Sequence, residues 1–180
     1  MHLMRSHLFG MCLSALLLSQ SGCQGDKNAV PGPYATPGLS FAEQCDQAIR
    51  GYTSAIQRNP GDADAWFGRG FVYSLMGRQQ DAIRDYTRAI ELNPEHPVAY
   101  ENRGTAYYRQ GVYDKALQDY TRAIERTPDS AVAYENRAWA RYRLKDYAGA
   151  QADIEKCRAK GRTPDPDLVT LIARSGGAAQ

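Results

Sequence analysis

The chain has 180 residues, 43% hydrophobic and 23% charged, with 22 Lys and Arg set against 20 Asp and Glu. That length suffices for one ordinary domain, and the near balance of charge argues against the concentrated basic stripe that nucleic-acid binding needs. The many Arg residues alternate with Asp and Glu at helical spacing, which reads as a solvated face and implies no electrostatic partner.

The first segment, 1–22, reads as a signal peptide. Arg5 and two histidines precede an apolar run from Leu8 to Leu18, too short to span a bilayer as a helix but of signal-core length. Ser19-Gln20-Ser21-Gly22-Cys23 follows and resembles a bacterial lipobox, in which the Cys is acylated on sulfur and becomes the first residue. It departs from that pattern at Gln20, where Leu is usual. Ordinary cleavage after Ser21 is the alternative, and both readings make the protein exported. Gln24 after Cys23, in place of the Asp that retains many lipoproteins in the inner membrane, leans towards the outer membrane.

Residues 23–39 are rich in Gly, Pro and small side chains and read as an extended tether. Ser40 with Glu43 then forms a capping box for a helix carrying Ala48, Ile49, Tyr52, Ala55 and Ile56 at helical spacing. This 40–62 segment is a second helix without a first, a half-unit.

A 34-residue beat organises the rest of the chain. Pro60, Pro94 and Pro128 keep it, as do Ala48, Ala82, Ala116 and Ala150; Tyr52, Tyr86, Tyr120 and Ile154; and Ala55, Ala89, Ala123 and Cys157. The run Asp85-Tyr86-Thr87-Arg88-Ala89-Ile90-Glu91 returns as Asp119-Tyr120-Thr121-Arg122-Ala123-Ile124-Glu125. Such a period means one supersecondary unit stacked on copies of itself. Three full units result, 63–96, 97–130 and 131–164, each helix, tight turn, helix and proline-bearing turn. Asp62, His96 and Ser130 are positioned to cap the first helices, and Gly77 and Gly111 mark two of the inner turns. Lys145 stands in the third turn. Residues 165–180 hold a short helix, with Asp165 as cap, Pro166 at its start and Gly176 at its end, whose Leu168, Leu171 and Ile172 close the stack.

Trp66, Gly70, Tyr73, Ala82, Tyr86, Ala89 and Pro94 fill positions 4, 8, 11, 20, 24, 27 and 32 of the first unit. Tyr100, Gly104, Tyr107, Ala116, Tyr120, Ala123 and Pro128 fill them in the second. This pattern resembles the tetratricopeptide repeat over about 40–164, although the third unit has drifted at Arg141, Ile154, Cys157 and Arg162. The resemblance implies an all-α solenoid, a right-handed superhelix with three full repeats, an N-terminal half-repeat helix and a C-terminal capping helix. It also implies a concave groove lined by the first helices, and a bacterial tetratricopeptide lipoprotein serving as a scaffold. In that groove it places Phe67, Phe71, Tyr108, Trp139 and Tyr142 as an apolar floor, Arg109 and Arg143 as a rim, and Asn102 and Asn136 as partners for a ligand backbone. The alternative for these aromatics is cover by neighbouring helices or by the tether. Tetratricopeptide domains that grip chaperone carboxylates carry Lys and Asn at positions 5 and 9 of one unit, Asn at 6 of the next, and Lys and Arg at 2 and 6 of the third. Of these only Asn102 is present.

No catalytic set is legible. His96 is the one histidine after the leader, so no nucleophile–base–orienter or His-based metal site can form around it. Glu101 and Glu135 fall at equivalent groove positions and read as solvated groups or an Arg-recognition patch rather than an acid–base pair. Cys45 and Cys157, three units apart, read as buried small apolar residues. The expectation is a non-enzymatic adaptor without cofactor, metal or nucleic acid. It would bind a protein or peptide in the groove and be held to the periplasmic side of a bacterial envelope through Cys23. The alternative is a protein that dimerises through its N-terminal half-repeat.

Overall fold

The computed structural model describes residues 39–177, so Cys23, the leader and most of the tether lie outside the described residues. Eight α-helices and no strand occur among them: α1 Phe41–Arg58, α2 Ala63–Leu75, α3 Gln79–Leu92, α4 Pro97–Arg109, α5 Tyr113–Arg126, α6 Ala131–Arg143, α7 Tyr147–Ala159 and α8 Pro166–Gly177. Each packs on the next in chain order, and α2, α4 and α6 also touch in series. The all-α solenoid expected from the beat is therefore what forms. Among the described residues no helix is long and apolar enough to cross a membrane.

Local chemistry sets the helix ends. Ser40 Oγ accepts from the Glu43 amide while the Glu43 carboxylate accepts from the Ser40 amide, a reciprocal box that starts α1. Asp62, His96 and Ser130 accept from first-turn amides of α2, α4 and α6. The inner turns need a left-handed residue, supplied by Gly77 and Gly111 at φ 75° and 78°. In the third unit Lys145 takes that conformation at φ 64°, a local strain of about 1 kcal/mol that the neighbouring packing sustains.

The periodic small residues are where helices meet. A Cβ on Gly70 would stand 3.0 Å from the Tyr86 ring, and one on Gly104 would stand 2.9 Å from the Tyr120 ring. In the third unit the partner of this column is Ile154, which has no ring, and there Ala138 fits. The Gly–Tyr, Gly–Tyr, Ala–Ile series is volume compensation within one chain. Ile154 and Cys157 are fully buried, and Ile154 packs with Leu168 and Ile172 of α8. Drift from the period in the third unit thus follows from a changed neighbour. Cys45 and Cys157 are buried free thiols.

Not every charge lies on a solvated face. Arg69 donates twice to Asp85 (2.7 and 2.9 Å) and once to Thr53 Oγ1 (3.1 Å). Arg103 repeats this with Asp119 and Thr87, and Arg137 with Asp153 and Thr121. Asp85, Asp119 and Asp153 are buried. Each bidentate pair joins the two helices of a unit, and the third bond ties them to the second helix of the unit before. Thr87 and Thr121 in turn donate to the Ile83 and Leu117 carbonyls, so their hydroxyls are used in both directions. Trp66, Tyr100 and Tyr134 lie beneath the guanidinium groups at 4.9, 5.7 and 5.5 Å, which gives the large residue at position 4 a second task. Arg141, where the other units have Tyr, brings a second cation to Asp153 at 3.0 Å. In α1, Gly51 occupies the column of the three aspartates.

Candidate functional site

A cleft of about 340 Å³ opens between α4, α6 and the start of α8, lined by Thr105, Tyr108, Arg109, Tyr120, Asn136, Trp139 and Asp165. Its position follows from the first helices standing side by side, so that their ninth, twelfth and thirteenth residues share one face. Tyr108, Arg109, Asn136 and Trp139, all expected at a groove, converge here. Thr105 belongs to the same face, and the Tyr120 hydroxyl donates to it at 3.2 Å.

The surroundings fix these side chains. Tyr108 meets Tyr113 edge-on at a centroid distance of 5.2 Å, and burial pushes its hydroxyl pKa up. Arg143, also exposed, lies over the Tyr113 ring at 4.5 Å. Arg109 is exposed and touches the first unit through Ser74 Oγ at 3.3 Å, so a solvent-facing cation stands at the rim. Asn136 Nδ2 donates to Glu101 Oε1 at 3.3 Å. Asn102 Nδ2 is buried with no hydrogen-bond partner among the described residues.

Other expected groove residues lie elsewhere. Phe67 is only 9% exposed and packs in the core, its ring 5.6 Å from Tyr86 and 4.8 Å from His96. Phe71 packs partly buried against the same core. Tyr142 stands edge-on to Trp139 at 6.3 Å, and both pack against the cluster holding Leu168 and Ile172, so α8 covers part of each. Tyr113 and Tyr147 were not expected here, yet they complete the aromatic edge at equivalent places in the second and third units. Their common register, position 17, was the available signal.

The two groove carboxylates differ in role. Glu135 is buried, receives Arg162 Nε at 2.6 Å and accepts from the Asp165 amide at 2.7 Å. It is thereby committed to the chain's own C-terminal segment. Glu101 is enclosed between units, and burial pushes its carboxyl up to about 7, against the opposite pulls of Arg162 and the Ser130 hydroxyl. Among the described residues no three His, Cys, Asp or Glu side chains converge as metal ligands.

Two tetratricopeptide-repeat profiles match residues 63–96 and 85–118, and a further TPR-repeat profile matches 104–145. The 63–145 segment is a tetratricopeptide-repeat array. Solved structures agree with it in fold. The chain is 25% identical to MamA at a TM-score of 0.63, over 66% of this chain and 65% of that one. It thus spans about two thirds of that structure's length. The first TPR of Spaghetti (RPAP3), bound to the HSP90 peptide SRMEEVD, matches at 25% identity and a TM-score of 0.60, over 65% of this chain and 92% of that one. The TPR2B domain of yeast Sti1, in complex with pHsp70, matches at 25% and 0.59, over 64% and 97%. No curated protein sequence matches the chain.

Proposed function

We propose that this tetratricopeptide-repeat protein is a non-enzymatic adaptor that holds a segment of a partner protein in the cleft between its second and third repeats. The observation that supports it is the convergence of Tyr108, Trp139, Asn136 and an exposed Arg109 on one concave cleft. Aromatic and Arg side chains dominate interface energetics, and a cleft between first helices suits an extended or helical segment. Similar structures were solved with chaperone peptides bound. Phe67, Phe71 and Val132 stand where chaperone-carboxylate grips need polar or basic groups, so the partner segment here is of another kind.

Crosslinking pull-down from the native envelope tests this. Arg109→Glu with Tyr108→Ala is expected to lower capture of the specific partner by roughly tenfold or more, equivalent to about 1.4 kcal/mol, without loss of helical signal. Equal capture by wild type and variant would overturn the cleft as the binding site.

The setting we propose is the periplasmic side of a bacterial envelope, with the outer membrane favoured by Gln24 and the chain anchored through lipid on Cys23. It rests on the lipobox-like 19–23 segment. Cys23→Ala is expected to abolish acyl labelling and release the protein from the membrane fraction; continued labelling sinks the idea. A second reading, pairing of two copies through the half-repeat, is favoured by Leu39 and Phe41, 36% and 40% exposed at the open end of α1. A single-chain mass in sedimentation at high concentration would dismiss it.

A further inference from the structure

The three repeat joints share one contact made with three different chemistries. In each, the fifth residue of a first helix touches the residue that caps the next first helix. Phe67 stacks on His96, the Glu101 carboxyl bonds Ser130, and Glu135 accepts from the Asp165 amide. Only the first joint turns on a side chain that acid makes charged. Glu101 also titrates near neutrality, but acid makes it neutral, and a carboxyl in either state can bond a hydroxyl.

His96 is 4% exposed, and its Nδ1 accepts from the Ala99 amide at 3.2 Å. That bond needs the lone pair of a neutral ring with its proton on Nε2. Protonation puts a hydrogen on Nδ1, aimed at the amide hydrogen it formerly accepted. The α4 cap is then lost and a charge is left inside the joint. Nε2 is buried with no hydrogen-bond partner among the described residues, so the second N–H of the cation gains no acceptor there.

The charged neighbours do not restore the balance. Asp64 on α2 favours the cation, while Arg126 on α5 is bonded to the Pro94 carbonyl of the same loop. Glu95, which precedes His96 in the chain, is exposed and paired with Arg126. From α3, Tyr86 flanks Phe67 with an uncharged ring.

We infer that the joint between the first and second repeats is an acid-released hinge, in which His96 is the latch and the Phe67 stack is what opens. Released, the first turn of α4 loosens from α2, while the Arg103–Thr87 bond and the shared core still hold α3 to α4. Burial lowers the His96 pKa below its ordinary 6.5, with Asp64 and a hydrogen bond to the residue's own backbone pulling the other way. The direction follows: with a folded-state value below the unfolded one, the stabilisation is complete above about 6.5 and drains away as the pH falls through the folded value.

Hydrogen exchange of the full chain, read as protection factors at pH 7.5 and 5.5, tests the hinge. Protection at Ala99 and Tyr100 is expected to fall roughly tenfold at the lower pH, the change that one pH unit below 6.5 allows. Amides at 133–138, behind the Ser130 cap, are expected to hold. His96→Asn, which caps without titrating, is expected to show no such fall; His96→Ser, copying Ser130, serves if the first variant does not fold. Unchanged protection in the wild type, an equal fall in the variant, or an equal fall at 133–138 would each overturn the hinge.

Discussion

Asp119→Ala is expected to lower the free energy of unfolding by about 3–5 kcal/mol, measured by urea denaturation followed by circular dichroism. Asp119 receives two bonds from Arg103, at 2.8 Å each, and both side chains are largely withdrawn from water. Truncation leaves a buried guanidinium with no counter-charge, over the Tyr100 ring and with only Thr87 as acceptor. The size of the loss comes from that stranded charge. Removing both partners, as in Arg103→Met with Asp119→Leu, is therefore expected to restore most of the stability. Asp81→Ala is the contrast. Its pairs with Arg78 and Arg84 lie on the surface, and the loss there is expected within about 1 kcal/mol. A loss below 1 kcal/mol for Asp119→Ala would show that these bonds are not what joins the two helices of the unit.

Gly68→Asn is expected to cost about 2–3 kcal/mol, although Asn is what the second and third repeats carry at this position, as Asn102 and Asn136. A Cβ at Gly68 would fall 2.4 Å from the Tyr52 ring. Tyr86 and Tyr120 lie against a glycine of the first helix of their own unit. Tyr52 has no such helix and leans on α2 instead, within the cluster of Cys45, Ala48 and Val72. A side chain at Gly68 must expel that ring. Tyr52→Ala is thus expected to absorb most of the added cost in the double variant, measured as a coupling energy in the same denaturation experiment. Additive effects would show that the ring is not what excludes the side chain.

The scaffold was legible because its packing columns use residue types that seldom recur by chance. Gly, Ala, Tyr and Pro at a fixed step reveal helix contacts and turns. The buried Arg–Asp–Thr clamps were not legible in the same way, because each residue is an ordinary surface type. Burial comes only when the stack brings residues 16 apart onto facing helices. Their signal was register: Arg69, Arg103 and Arg137 keep the same step as the prolines.

The groove was legible in part. Position along a first helix puts Tyr108, Arg109, Asn136 and Trp139 on one face, and this holds for any such stack. It cannot show that position 5 is spent on the joint, which withdraws Phe67 and Glu135 from that face. Nor does spacing tell which rings α8 will cover. That depends on where the Arg162 and Asp165 contacts with Glu135 seat the helix.

Gly51 has a consequence for the size of the array. A first helix completing the half-unit would present its arginine to a column with no carboxylate, and the cation would be buried without a counter-ion. At the other end Glu135 is already occupied by Arg162 and the amide of Asp165. The two ends of the described stack thus differ, one lacking a charge and the other having a filled acceptor. Giving the half-unit a clamp like those of the three repeats would require Gly51→Asp together with a first helix that carries the arginine.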